Sequence, residues 1–314
     1  MLLTSPRALH AKGLLGMNRR NVDYISRYNE RRLYPLVDDK LQTKRLAEKY
    51  QVSTPILRSV IQTQHGIRGL ESLIEGLEGF AIKPSKGAGG KGILIAHRRE
   101  NERFIKPSGN SVSIHGLKRH CSNILAGLHS LAGAPDVAII EDLIEPDPFF
   151  HDLSVEGVPD IRVIIFRGIP VMAMLRLATH ASDGKANLHQ GAVGVGLDLQ
   201  TGRCVHAVQY SRRVHVQPDT GVRLDNIQIP DWQNLLTLAA RCHELTGLGY
   251  LGADLVVDRN RGPLMLELNA RPGLAIQVAN GTGLLPRLRA IEALEDIPVQ
   301  PESRVEFAMT HFSQ

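Results

Sequence analysis

Asp254, Glu267 and Asn269 are the residues whose types and spacing point most directly to chemistry. They lie in GADLVVDRNRGPLMLELNARPG, residues 252–273. Ala253–Val257 and Leu264–Asn269 are short runs of apolar alternation on either side of a turn-forming stretch, so the segment reads as two antiparallel strands and a tight loop. Pairing Asp258 with Pro263 sets a register sum of 521 and places Asp254 opposite Glu267; Asn269, two residues on, faces the same way. Two carboxylates at cross-strand distance repel by roughly 3 kcal/mol at an effective dielectric of ~20, so a positive charge is expected between them. Mg²⁺, which takes carboxylate and amide oxygens together with substrate phosphates, is one answer. An exposed hairpin face with both acids solvated, or paired with Arg259 or Arg261, is the other.

A second group lies upstream. The strand Gly79–Pro84 carries Lys83 and enters the loop Ser85–Gly92, in which Gly87, Gly89, Gly90 and Gly92 leave the backbone bare. The letters fit G-x-G-x-x-G, but a dinucleotide loop must open a helix, and Ile93–Ala96 reads as a strand. A P-loop would need Lys where Ile93 stands. What remains is a glycine hairpin whose N–H groups can close over phosphates, with Lys83 reaching the same groups; the bland alternative is a flexible surface hairpin. Val137–Ile144 reads as a buried strand ending in Glu141 and Asp142, where an acid can accept an adenine amine and the main chain can meet the ring. Asp160 and Arg162 share a face of the strand that follows, and Val171–Leu177, its hairpin partner, presents Arg176. Ser182–Gly196 is polar and glycine-rich and carries Lys185, Asn187 and His189.

The elements that must position these residues are a helix over Asn21–Arg32 closed by Pro35, a second helix opened by Asp38-Asp39 and running through Lys40 to Tyr50, and a third over Ile67–Leu77. Helices are also expected over Ile229–Leu245 and Leu284–Leu294. Residues 97–136 give no clear pattern and read as a solvated basic face.

At 314 residues and 43% hydrophobic content, the chain is long enough for two or three lobes. No apolar run is long enough for a membrane span or a secretory signal. Cys121, Cys204 and Cys242 show no ligand or disulfide spacing, which fits reduced thiols in a cytoplasm. The net charge of +5 sits entirely in residues 1–37, where Arg7, Lys12, Arg19, Arg20, Arg27, Arg31 and Arg32 face only Asp23 and Glu30; the remainder is neutral, with thirty charges of each sign. That arm either binds an anion or is salt-bridged to the body of its own protein. With 4% aromatics and none interleaved with the basic residues in a stacking pattern, nucleic acid is not expected.

In order and spacing, Asp39-Lys40 opening a helix, Lys83 before a glycine hairpin, the acid-ended strand at Glu141, a D-x-R strand, the Asn187 loop and a D…E-x-N hairpin resemble the RimK-type α-L-glutamate ligases of the ATP-grasp superfamily over residues 38–295. GPLMLELNARPGL and KANLHQGAVG carry most of the likeness. The resemblance implies an α+β ATP-grasp fold with two lobes sandwiching ATP. It divides the chain into a basic helical extension (1–37), a central subdomain with the phosphate loop (38–143), a C-terminal subdomain with the metal site (144–300) and a tail (301–314). It further implies that Lys40, Lys83 and the loop glycines Gly87, Gly89 and Gly90 contact nucleotide phosphates. Glu141 and Asp142 would stand at the adenine hinge, Asp142 through its main chain, Asp160 at the ribose, and Lys185 and Asn187 at the phosphates. Asp254, Glu267 and Asn269 would hold Mg²⁺, with Mn²⁺ as a substitute, and Arg176, Arg271 and Lys83 would form the catalytic set. Only 38 residues precede Asp39, where such enzymes carry a domain of nearly a hundred; the basic arm, or a second subunit of a homo-oligomer, would then complete the substrate site.

The implied activity is ATP-dependent amide formation between a carboxylate and an amine through an acyl phosphate, glutamate or another amino acid being joined to a small-molecule or peptide acceptor. A phosphotransferase acting on a hydroxyl and a non-catalytic ATP-binding or partner-dependent module are the alternatives.

Overall fold

The structure, a computed structural model, describes residues 5–87, 89–130, 133–155 and 157–313. Residues 1–4 of the opening segment and Ala88 of the glycine loop lie outside them. The chain forms two compact units: a smaller one from Asp38–Arg45 and Thr54–Glu145, and a larger one from the residues through Val37, Leu46–Ser53 and those from Pro146 on. The basic N-terminal segment thus belongs to the larger unit.

In the smaller unit the strands are Leu57–Ile61 (β1), Phe80–Pro84 (β2), Leu94–Ala96 (β3), Arg98–Glu100 (β4), Arg103–Ile105 (β5), Ser111–Ser113 (β6) and Ala138–Asp142 (β7). One antiparallel sheet runs β1-β7-β2-β3 and a second β4-β5-β6. Phe80, Ile82 and Ile140 form its core with Leu117, Cys121 and Ile124 of the helix Ile114–Leu125. The sequence shows little of this: three-residue strands such as the fully exposed β4 are too short for alternation to register, and the helix's apolar stripe is hidden among His, Lys and Arg. The expected helix over 67–77 shrinks to a 3₁₀ turn at Gly66–Gly69 and the single turn Leu70–Leu73. Gly76, at φ +75°, follows in a left-handed conformation that no helix continues.

The larger unit adds Asp160–Phe166 (β8), Ile169–Leu177 (β9), Val193–Leu197 (β10), Cys204–Gln209 (β11), Arg212–Arg213 (β12), Tyr250–Asp258 (β13) and Gly262–Asn269 (β14). They make one antiparallel sheet in the order β12-β11-β10-β9-β8-β13-β14. All nine residues of β13 are buried, and the helix Trp232–Thr246 packs on it. Part of the expected Ser182–Gly196 loop is the strand β10, whose Gly196 is required by close approach: a Cβ there would lie 2.5 Å from the carbonyl oxygen of Ala279. The expected tail is a helix, Pro301–His311, with Val305, Ala308 and the following Phe312 buried in the core.

The N-terminal helix runs from Met17 to Tyr28 through a π-helical stretch at Arg20–Ile25, starting and ending four residues earlier than predicted. Pro35 opens the turn Pro35–Asp38 rather than closing a helix, since a first-turn proline has no missing N–H to regret. Beside the buried Leu15, Tyr24 and Ile25, two buried amides join this segment to the rest of the unit. Gln277 accepts from Leu15 and Leu284 N–H, and Asn29 brackets Tyr250 by accepting its N–H (2.8 Å) and donating to its carbonyl (2.7 Å).

Candidate active site

In the larger unit the register lines up five chemical side chains on one face of the sheet. Asp160 of β8 stands opposite Arg176 of β9, Arg162 of β8 opposite Asp254 of β13, and Asp254 opposite Glu267 of β14. The Asp254–Glu267 pairing is the expected one, but the hairpin reaches it by another route. Asp258 pairs with Gly262, not Pro263, and a bulge between Asp254 and Leu255 then restores the sum of 521 at the site. Without that extra residue Leu266 would oppose Asp254 and Glu267 would point to the other face.

The positive charge beside Asp254 is a pair of guanidinium groups. Arg162 forks onto both carboxylate oxygens (Nε to Oδ1 2.7 Å, Nη2 to Oδ2 2.6 Å), and Arg176 Nη2 donates to Oδ2 at 2.7 Å. Arg176 Nε also donates to Asp160 Oδ1 at 2.5 Å. Arg261, one of the partners expected in the bland reading, pairs instead with Asp258. Burial alone would raise both acids. For Asp254 the two guanidiniums outweigh it and hold the carboxyl well below the usual range. For Asp160 burial prevails over Arg176, with Asp254 adding to it, and lifts the carboxyl to about 6.

Glu267 and Asn269 are partly exposed beside this network. The Asn269 Oδ1 accepts the Arg271 N–H at 2.8 Å, which turns the chain after β14, and the Arg271 guanidinium lies 5.0 Å over the Tyr34 ring. Glu267 and Asn269 supply the hard oxygens that Mg²⁺ prefers, so the donor chemistry fits. Asp254, the third expected ligand, answers two guanidiniums in this structure. Among the described residues no cluster of three His, Cys, Asp or Glu could hold a metal ion; the set here is two acids and an amide. Lys185 and Asn187 lie between β9 and β10, where Lys185 pairs with Asp183 (3.1 Å) and Asn187 caps the turn Leu188–Gln190.

In the smaller unit the expected nucleotide residues also gather. The Glu141 carboxylate, 2% exposed, is held between two ammonium groups, Lys83 at 2.5 Å and Lys44 at 2.9 Å. The Lys40 ammonium donates to the carbonyl of Gly87 (2.6 Å) and so ties the helix Lys40–Lys49 to the glycine loop. Asp39 caps that helix by accepting Leu41 and Gln42 N–H and a bond from Ser85; these bonds outweigh burial and lower its pKa. Gly89, Gly90 and Gly92 all have positive φ, and a Cβ on Gly89 or Gly90 would meet open space. That is a bare, accessible backbone. The Asp142 carboxylate forms a two-pronged pair with Arg58, and its N–H donates to Ile56, so the amide expected at the hinge is already bonded.

The model of the sugar-transfer associated ATP-grasp family matches residues 19–293, a span that takes in every residue of the candidate site described above. The chain belongs to this family. No curated protein matches it. The biotin carboxylase domain of the 2-oxoglutarate carboxylase of Hydrogenobacter thermophilus, solved with MgADP and bicarbonate, is similar in fold: 14% identity, TM-score 0.50, 86% of this chain and 49% of that one covered. A D-cycloserine synthetase (15% identity, TM-score 0.48, 83% and 71% covered) and a RimK domain protein of Sphaerobacter thermophilus (12%, 0.47, 84% and 70%) are also similar. The chain therefore spans between about half and seven tenths of these chains' lengths.

Sequence reasoning passed over two residues of this ATP-grasp protein. Lys44 lies four residues from Lys40, one turn along the same helix face, and that spacing was a readable signal. Arg58 had none, because its partner Asp142 is 84 residues away.

Proposed function

We propose that the protein is an ATP- and Mg²⁺-dependent ligase that joins a carboxylate to an amine through an acyl phosphate, with an amino acid, glutamate among the candidates, as one substrate. The observation that carries this reading is the β13–β14 pairing of Asp254 with Glu267, Asn269 two residues on and Arg176 in the same network, in a chain of the ATP-grasp family. Such a face neutralises charge and holds no protein nucleophile; the reaction then rests on positioning and electrostatic stabilisation. When bound at Glu267 and Asn269, with Asp254 beside them, Mg²⁺ would neutralise phosphate charge.

The chain's own residues do the rest. In the smaller unit the open N–H groups of Gly89 and Gly90, with Lys83 and Lys40, bind phosphate oxygens. In the larger unit Arg176 and Arg271 stabilise charge on the transferred phosphoryl group and on the acyl phosphate that follows. Asp160 binds the ribose, and Lys185 and Asn187 add phosphate contacts. The carboxylate substrate takes the γ-phosphoryl group, ADP leaves, and the amine displaces phosphate. We place the protein in the cytoplasm; among the described residues no helix is long and apolar enough to cross a membrane.

The test is an ADP-release screen across amino acids, acidic peptides and amines, with mass detection of the conjugate. A product heavier than the acid by the amine less water supports the ligase. A phosphorylated hydroxyl product, or no ADP from any pair, overturns it. Within that assay Glu267→Gln and Asn269→Ala are each expected to reduce ADP release at least about a hundredfold with an unchanged melting midpoint; full turnover at saturating Mg²⁺ would remove the metal assignment.

A further inference from the structure

The loop Ala270–Gly273, which carries Arg271, has no regular secondary structure, yet it is held on both sides of that residue by the N-terminal segment. Asn29, 3% exposed, donates to the carbonyl of Ala270 at 3.1 Å, and Arg20 Nη1 donates to that of Pro272 at 2.8 Å. Between these two anchors the Arg271 guanidinium lies over the face of Tyr34, 5.0 Å from the ring centroid. An exposed arginine gives up rotamer entropy when it is fixed. A ring face beneath the cation attracts it electrostatically and offsets part of that cost.

We infer that Tyr34 is a positioning residue for Arg271, with Asn29 and Arg20 fixing the loop on which it stands. The basic N-terminal segment is then part of the γ-phosphate apparatus and not merely a docked arm. The inference rests on the reading of Arg271 as a γ-phosphate contact and deepens it: one ring, more than two hundred residues away in sequence, orients the guanidinium before the nucleotide arrives.

The experiment is calorimetric titration of the full chain with MgAMP-PNP and with MgADP. It compares wild type with Arg271→Ala, Tyr34→Ala, Tyr34→Leu and Tyr34→Phe. The ratio of AMP-PNP to ADP affinity isolates the γ-phosphate. Arg271→Ala should lower it at least about fivefold; Tyr34→Ala and Tyr34→Leu should lower it about fivefold, since leucine fills the space without offering a π face. Tyr34→Phe should keep the wild-type ratio, and ADP affinity should not move in any variant. A wild-type ratio in Tyr34→Leu beside a lowered one in Arg271→Ala would overturn the positioning role and leave the Arg271 reading intact. An unchanged ratio in Arg271→Ala would overturn both. If Tyr34→Ala does not fold, the Leu and Phe variants decide.

Discussion

Asp254 accepts three guanidinium hydrogen bonds on one buried carboxylate, and its neighbour Glu267, directly across the hairpin, is partly exposed. The two acids should answer mutation differently. Asp254→Asn leaves Arg162 and Arg176 charged in a buried setting without the carboxylate on which both converge, so it should cost about 3–5 kcal/mol in denaturant unfolding. Glu267→Gln, on the partly exposed side, should leave stability within about 0.5 kcal/mol. Equal stabilities for the two variants would contradict the network. In the smaller unit, Lys83→Ala leaves Lys44 on Glu141, so the unit should stay folded while ATP affinity drops about tenfold by calorimetry; an unaltered affinity would remove Lys83 from the phosphate site.

At the level of elements, the N-terminal segment is fastened by a few buried amides. Asn29→Ala removes three hydrogen bonds to main-chain atoms of Tyr250 and Ala270 and strands their partners, which should cost about 2–3 kcal/mol. Denaturant titration checks it, and a loss below 0.5 kcal/mol would mean that the segment docks by other means. The β13–β14 bulge acts at the same scale. Register at the tip of the hairpin and register at the site differ by one residue, and the bulge reconciles them so that Glu267 and Asn269 share the face of Asp254.

Across the whole molecule each unit contains a histidine whose burial disfavours the charged form. His243 in the larger unit and His120 in the smaller have lowered pKa values, above all because burial penalises the imidazolium; the carbonyls of Leu248 and Gly92 pull the other way without prevailing. The unfolded chain therefore binds more protons than the native one once pH falls below the ordinary histidine value of about 6.5. The contribution of these two histidines should be level above that pH and decline below it, while Asp160, its carboxyl lifted to about 6 by burial, works the other way as pH falls below that value. His243→Gln, tested by denaturant titration at pH 7.5 and 5.5, should lose less stability between the two than wild type; an equal or greater loss would show that other groups govern the acid limb.

Local information was enough for much of this protein. Alternation and turn chemistry place the β2–β3 and β13–β14 hairpins, Asp39 of the expected acid pair caps the helix at Lys40, and the order of those pieces points to the ATP-grasp family, because side-chain period and backbone freedom are properties of neighbouring residues. Partners far apart in the chain were not legible. Arg162 on Asp254, Lys44 beside Lys83 on Glu141, Tyr34 under Arg271 and the closing helix Pro301–His311 all depend on which strands and helices meet in space. A carboxylate in a sequence shows that a positive charge is needed; packing selects which one, because a buried charge must be met by whatever cation the tertiary fold brings within reach.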